Sequence, residues 1–208
     1  MKRTLLPGIL AMATLVIASN ILVQHLYGKW LTYGAFTYPL TFLVNDLTNR
    51  LHGPIAARRV VLVGFVVGIV CSLVGSQMQG EFGPLVTFRV AVGSGLAFLN
   101  GQLLDLFVFN RFRNRGGWWK APFFSALIGS TLDSIIFFTI AFAGFLSFLE
   151  PSGDVAWANE MVPLLGRGAM LPLWVSLATA DWMVKVAIAL FGLVPFRLIV
   201  ARFSKIVT

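Results

Sequence analysis

Six apolar runs divide this chain, near residues 5–26, 34–51, 60–78, 87–109, 121–149 and 171–200. Each is long enough to cross a hydrocarbon core of roughly 30 Å, which takes about 20 helical residues. Hydrophobic residues at 58% against charged residues at 12% exclude a soluble domain, and 208 residues leave room for only one unit. The expectation is an all-α membrane protein, a compact bundle of six transmembrane helices forming a single domain over residues 1–208. The first run follows Lys2 and Arg3, as a signal peptide would. It is longer than a signal's apolar core, ends without a clean small-x-small site and carries Ser19, Asn20 and Gln24, so it reads as an uncleaved first helix.

Lysine and arginine set the orientation. The amino terminus (Lys2, Arg3), the second connection (Arg50, Arg58, Arg59), the fourth (Arg111, Arg113, Arg115, Lys120) and the tail (Arg197, Arg202, Lys205) hold twelve of the sixteen basic residues. The opposite connections hold Lys29, Arg89 and Arg167 together with Glu81, Glu150, Asp154 and Glu160, so both termini are expected in the cytoplasm. The long connection 150–168, with Pro151, Gly153 and Pro163, is expected to be the mobile part. Trp118 and Trp119 beside the basic fourth connection fit an interfacial belt. The formal charge of +8 does not indicate nucleic acid, because the basic residues flank apolar runs instead of forming a polar face interleaved with aromatics. A lone Cys71 makes no disulfide framework, and with only His25 and His52 besides it neither a metal site nor another cofactor is indicated.

Ionisable groups inside apolar spans are costly, and they are where function is sought first. The stretch Thr37–Arg59 begins as an apolar helix, yet places Asn45, Asp46, Thr48, Asn49 and Arg50 in its last turns before Gly53-Pro54. Asp105, Asp133 and Asp181 also fall within spans, and helical rise puts Asp133 and Asp181 near mid-membrane. Asn20, Asn45, Asp46, Gln102 and these aspartates come from five helices at overlapping depths, and facing inward they would surround a cavity. Internal ion pairing competes with that reading: Asp46 with Arg50, and Asp181 with Lys185, are each four residues apart on one helix face. Asp133 has no cation nearby on its own helix, and Lys185 across the bundle is its candidate partner. Asn20, Asn45 and Gln102 can also serve simply as hydrogen-bonding glue between helices. Stripes of small residues, Gly64, Gly68, Ser72 and Ser76 in the third run and Gly93, Ala97 and Gly101 in the fourth, favour close packing within the bundle over docking of a partner subunit.

Enzymatic readings fail on their own requirements. Gly53-Pro54-Ile55-Ala56-Ala57-Arg58 loosely matches the start of the CDP-alcohol phosphotransferase motif, but Val60 to Val70 brings no carboxylate for a metal. A phosphate-cradling glycine-rich loop is absent from the sequence, and both histidines sit at interfaces, away from any serine or carboxylate at depth.

Gly34-Ala35-Phe36-Thr37-Tyr38-Pro39, Asn45-Asp46-Leu47-Thr48 with Arg50, Gly53-Pro54 and Ala57-Arg58-Arg59 together resemble the signature of the queuosine precursor transporter family, also known as the putative vitamin uptake transporter family. The resemblance continues through Ser19-Asn20 with Gln24, Gly101-Gln102 with Leu104-Asp105, Val108-Phe109-Asn110-Arg111, Trp118-Trp119 with Ala121-Pro122, and Asp181 with Lys185-Val186. It implies a multi-pass transporter of the bacterial inner membrane that imports 7-deazaguanine precursors of queuosine, chiefly 7-cyano-7-deazaguanine, with 7-aminomethyl-7-deazaguanine as a second candidate. The substrate-binding residues expected on this reading are Asn20, Gln24, Asn45, Asp46, Asn49, Gln102, Asp105, Asp133, Asp181 and Lys185. A carboxylate accepts from adjacent ring N–H and amino donors at once, and Asp46 and Asp105 are favoured for reading the guanine-like edge because each lies in the family-like motif with an amide nearby. The alternative is a membrane-embedded substrate-binding subunit of an energy-coupling-factor importer driven by an ATPase partner. Self-association and the energy source stay open at this level.

Overall fold

The structure, a computed structural model, describes residues 4–81 and 83–204. Lys2, Arg3 and Lys205, which enter the orientation count, lie outside the described residues. The chain is all-α apart from three two-stranded hairpins in its connections. The helices are α1 (Leu6–Leu22), α2 (Gly34–Thr37), α3 (Leu40–His52), α4 (Pro54–Gln77), α5 (Phe88–Phe112), α6 (Lys120–Phe142) and α7 (Leu173–Ser204). Among the described residues, α4, α5, α6 and α7 are each long and apolar enough to cross a membrane. The 17-residue α1 is a shorter apolar helix.

The second apolar run is not one continuous helix. Pro39 has no N–H to donate to Ala35, so the ladder breaks there and α2 gives way to α3. The chain crosses the break through tighter bonds, Thr41 N to Tyr38 O at 3.0 Å and Phe42 N to Pro39 O at 3.2 Å. The Thr41 hydroxyl adds a second bond to the same Tyr38 carbonyl at 2.7 Å. At the far end Gly53, with φ of +86°, ends α3 and begins α4 in one residue. Pro54 then opens α4 where a missing N–H leaves no bond unmade, six residues earlier than the apolar pattern suggests.

The fifth run stops at Phe142, and residues 144–149 form a 3₁₀ turn instead of prolonging α6. Competing donors explain the stop. Buried Arg89, at the start of α5, gives its Nε to Ile140 O at 2.8 Å and Nη2 to Ala143 O at 2.7 Å. Asn159 takes Gly144 N–H and donates to Phe142 O, both at 2.9 Å. Glu150 in turn accepts the Phe88 and Arg89 backbone N–H groups at 3.1 and 3.0 Å, countering the positive end of α5. The connection 150–168, expected to be mobile, carries 3₁₀ turns and the first strand of a hairpin, β5 in chain order: Met161–Pro163 pairs with Met170–Pro172.

Polarity is distributed inside out relative to a soluble protein. Leu62, Val66 and Leu73 of α4 and Phe191, Val194 and Leu198 of α7 face outward, while Asn45, Asp46, Asn49, Gln102, Asp105, Asp133 and Lys185 are buried. Small residues allow the helices to close over this polar interior. A Cβ on Gly129 would lie 2.8 Å from both Asp105 Cβ and Gly101 O, so α5 and α6 touch backbone to side chain there. Gly64 of α4 abuts Met12 and Phe98, and Gly75 abuts Val86. These stripes are used within the bundle.

Candidate functional site

Two polar clusters occupy the interior, spaced along α6. Ser125 belongs to one and Asp133 to the other, eight residues and about 12 Å of helix apart.

The first cluster joins α3, α5 and α6. Asn45 donates through Nδ2 to Asp105 Oδ2 at 2.9 Å and to Gln102 O at 3.0 Å. Ser125 Oγ lies 3.1 and 3.3 Å from the two oxygens of Asp46. Asp46 and Asp105 thus both enter the cluster, Asp46 through Ser125 and Asp105 through Asn45. Gln102 Nε2 reaches Thr41 Oγ1 at 2.8 Å. Because that hydroxyl gives its proton to Tyr38 O, the glutamine must be the donor, and its carbonyl oxygen is left over. Asn45 Oδ1, Gln102 Oε1, Asp105 Oδ1 and both side-chain atoms of Asn49 are buried without a partner.

In the second cluster Lys185 of α7 is the centre. Its Nζ lies 2.6 Å from Asp133 Oδ2, 2.5 Å from Asp181 Oδ2 and 2.9 Å from Ser134 Oγ. Tyr38, at the α2–α3 break, donates its hydroxyl to Asp133 Oδ1 at 2.6 Å, and its ring sits under the ammonium at 5.3 Å. Ser134 donates to Asp181 at 2.9 Å. Between the clusters a crevice of about 20 Å³ touches Asp46, Phe42, Ser130 and Lys185. That is room for one water and far below the ~300 Å³ of the smallest usual ligand pockets, so the interior is closed.

Of the ten residues singled out from sequence, eight are brought into these clusters or beside them. Asn49 stands one turn along α3 from Asn45, fully buried. The other two are not. Gln24 is exposed beyond the end of α1, where the helix has run out before reaching it. Asn20 bonds back to Val16 O of its own helix at 2.9 Å, as a short amide side chain does when no neighbour offers a better acceptor. The Asp46–Arg50 ion pair does not form, since Asp46 turns to Ser125 while Arg50 is exposed. Lys185 pairs with both Asp181 on its own helix and Asp133 across the bundle. Sequence reasoning misses Ser125, Ser134, Thr41 and the Tyr38 hydroxyl as members of the clusters. Ser125 shares an i, i+4 row with Gly129 and Asp133, and Ser134 with Ser130, which is the signal that could have found the two serines; Thr41 and the Tyr38 hydroxyl fall outside those rows.

The fold and its two buried polar clusters define a helical membrane bundle that keeps carboxylates, amides and one lysine in its interior. The chain belongs to the family described as "Putative vitamin uptake transporter", which it matches over residues 32–200. It is 34% identical to the "Queuosine precursor transporter" of Escherichia coli strain K12 over 194 residues, 86% of this chain and 78% of that one. It is 39% identical to the "Probable queuosine precursor transporter" of Haemophilus influenzae over 53% of this chain and 52% of the relative, and 32% identical to that of Bacillus subtilis strain 168 over 58% and 60%. No solved structure matches it significantly.

Proposed function

We propose that this chain imports 7-deazaguanine precursors of queuosine, chiefly 7-cyano-7-deazaguanine, across a bacterial inner membrane. The proposal takes six crossings with both termini cytoplasmic: α2 and α3 hold 4 and 13 residues, about 25 Å of helix in all, and the 17 residues of α1 about the same. The observation that carries the substrate reading is the surplus of buried acceptors in the first cluster. Asn45 Oδ1, Gln102 Oε1 and Asp105 Oδ1 want N–H donors, and a 7-deazaguanine offers ring N–H and amino donors along one edge. Its ring carbonyl wants a donor in return, which the free Asn49 amide supplies. Phe42 and Tyr38 stand edge to face at 6.3 Å beside the crevice and offer apolar walls for a flat ring. The crevice must widen for binding, as the alternating access of a carrier requires.

The alternative, a substrate-binding subunit of an energy-coupling-factor importer, shares the same small-residue packing, such as Gly64 against Met12 and Phe98. The deciding experiment is uptake of labelled 7-cyano-7-deazaguanine into proteoliposomes holding only the purified chain, with and without an imposed proton gradient. Saturable uptake is expected. No uptake from the chain alone, together with copurification of a stoichiometric ATPase, would replace the carrier with a binding subunit.

A further inference from the structure

A second pocket, of about 240 Å³, lies where α3, α5 and α7 converge with the α5–α6 turn, away from both polar clusters. Arg50, Arg113 and Arg197 line it, one from the end of each helix, and Trp118, Phe109 and Phe196 form its walls. No carboxylate lines it, and among the described residues every salt bridge belongs to Lys185. The nearest acids along the chain, Asp46 and Asp105, point into the bundle interior.

Two of the three guanidiniums are held by their surroundings. Arg113 donates to Asn49 O at 3.3 Å and Arg50 O at 3.1 Å, which anchors it on the carbonyl end of α3. Arg197 lies over the Trp118 ring at 4.9 Å, a stacking that leaves its N–H edge available. Burial and the like charge of Arg50 push the Arg113 guanidinium below its ordinary value, so Arg50 and Arg113 stand close enough to repel. A positive site without a lining carboxylate, walled by Trp118, Phe109 and Phe196, on a helix that also exposes Val194 and Leu198, matches a phosphate attached to a hydrocarbon tail.

We propose that this pocket binds the phosphate headgroup of an anionic phospholipid as a specific site. The site is distinct from the substrate reading: no lining side chain is shared, and Asn49 enters here only through its backbone carbonyl.

The test uses the full chain purified in detergent and native mass spectrometry after mixing with phosphatidylglycerol or phosphatidylcholine. Retention of one phosphatidylglycerol, well above phosphatidylcholine, is expected. Arg50→Gln and Arg197→Gln, both exposed positions outside the core, should each weaken retention about fivefold and the double variant about twenty-five-fold. Arg197→Lys, which keeps the charge but not the stacked fork, should fall between. Equal retention of the two lipids, or unchanged retention by a double variant with native melting, would overturn the site. Displacement of the lipid by millimolar inorganic phosphate would assign the pocket to a soluble anion and likewise overturn the lipid reading.

Discussion

Lys185→Met isolates what the buried ion cluster contributes. In the native chain the ammonium lies 2.6 Å from Asp133 and 2.5 Å from Asp181, and it ties α7 to α6. Methionine nearly preserves the side-chain volume, so packing changes little and the effect is electrostatic. Asp133 keeps the Tyr38 hydroxyl at 2.6 Å and Asp181 keeps Ser134 at 2.9 Å, yet two carboxylates then face one another without a cation. Breaking a buried pair in this way costs about 3–5 kcal/mol. Most of it falls on Asp133, with a side chain 3% exposed, because Asp181 at 14% recovers some solvation. For a chain of this size the melting temperature should fall by on the order of 10 °C, measured on purified protein in detergent. The triple variant Lys185→Met, Asp133→Asn, Asp181→Asn removes the stranded charge together with its partner and should regain most of the loss. If Lys185→Met melts within about 2 °C of native, the cluster does not brace the two helices. If the triple variant fails to recover, the loss came from packing and not from charge.

Asp105→Asn and Asp46→Asn should leave inserted, folded protein, because an amide oxygen can still accept from Asn45 and Ser125 respectively. Binding of 7-cyano-7-deazaguanine should weaken by about 2–5 kcal/mol, and a des-amino analogue should compete poorly with the native protein but lose little more in the variants; equal competition by both ligands in the native chain would remove the carboxyl pair from the substrate edge. Gly129→Ala should destabilise by about 1–3 kcal/mol, since its Cβ would sit 2.8 Å from Asp105 Cβ and Gly101 O, and a native melting curve would contradict that close approach. A reporter fused after Thr208 should be active only if it is of a cytoplasmic type, and periplasmic activity would refute the six-crossing topology.

How much of the fold and site is legible in the sequence follows from the range over which each signal acts. Apolar runs locate the long helices because a lipid-facing helix needs apolar residues all round, and no tertiary detail alters that need. Their ends are misplaced where the deciding partner is distant in sequence: α6 stops at Phe142 because Arg89 and Asn159, 53 positions before it and 17 after, take its terminal carbonyls. Pro39 is visible, but the use of the break it makes is not. Only in three dimensions does that break set the Tyr38 hydroxyl on Asp133, 95 residues away. The buried aspartates stand out by cost alone, whereas Asn20 and Gln24 enter through family-like motifs and have no tertiary partner in the clusters. Ser125 and Ser134 bury with little penalty and are common in membrane helices, so nothing but their spacing singles them out.

Counting hydrogen-bond partners divides the buried charged and amide groups in a way that sequence could not. Around Lys185 the donors are fully used: three N–H groups meet Asp133, Asp181 and Ser134, and Tyr38 and Ser134 complete the carboxylates. A ligand approaching this cluster would have to displace a charge-assisted bond for every bond it made, gaining little. Around Asn45 and Gln102 the balance is the reverse, because acceptor oxygens and the whole Asn49 amide remain without partners in a site closed to bulk water. Each such group costs about 1–3 kcal/mol to bury unsatisfied, a penalty that a donor-bearing ligand removes on entry. Selectivity follows from the same balance: an analogue lacking the donors leaves those oxygens stranded and forfeits that energy. On the proposed reading, the saturated cluster would hold α6, α7 and the α2–α3 break together, and the unsaturated one would be the recognition site.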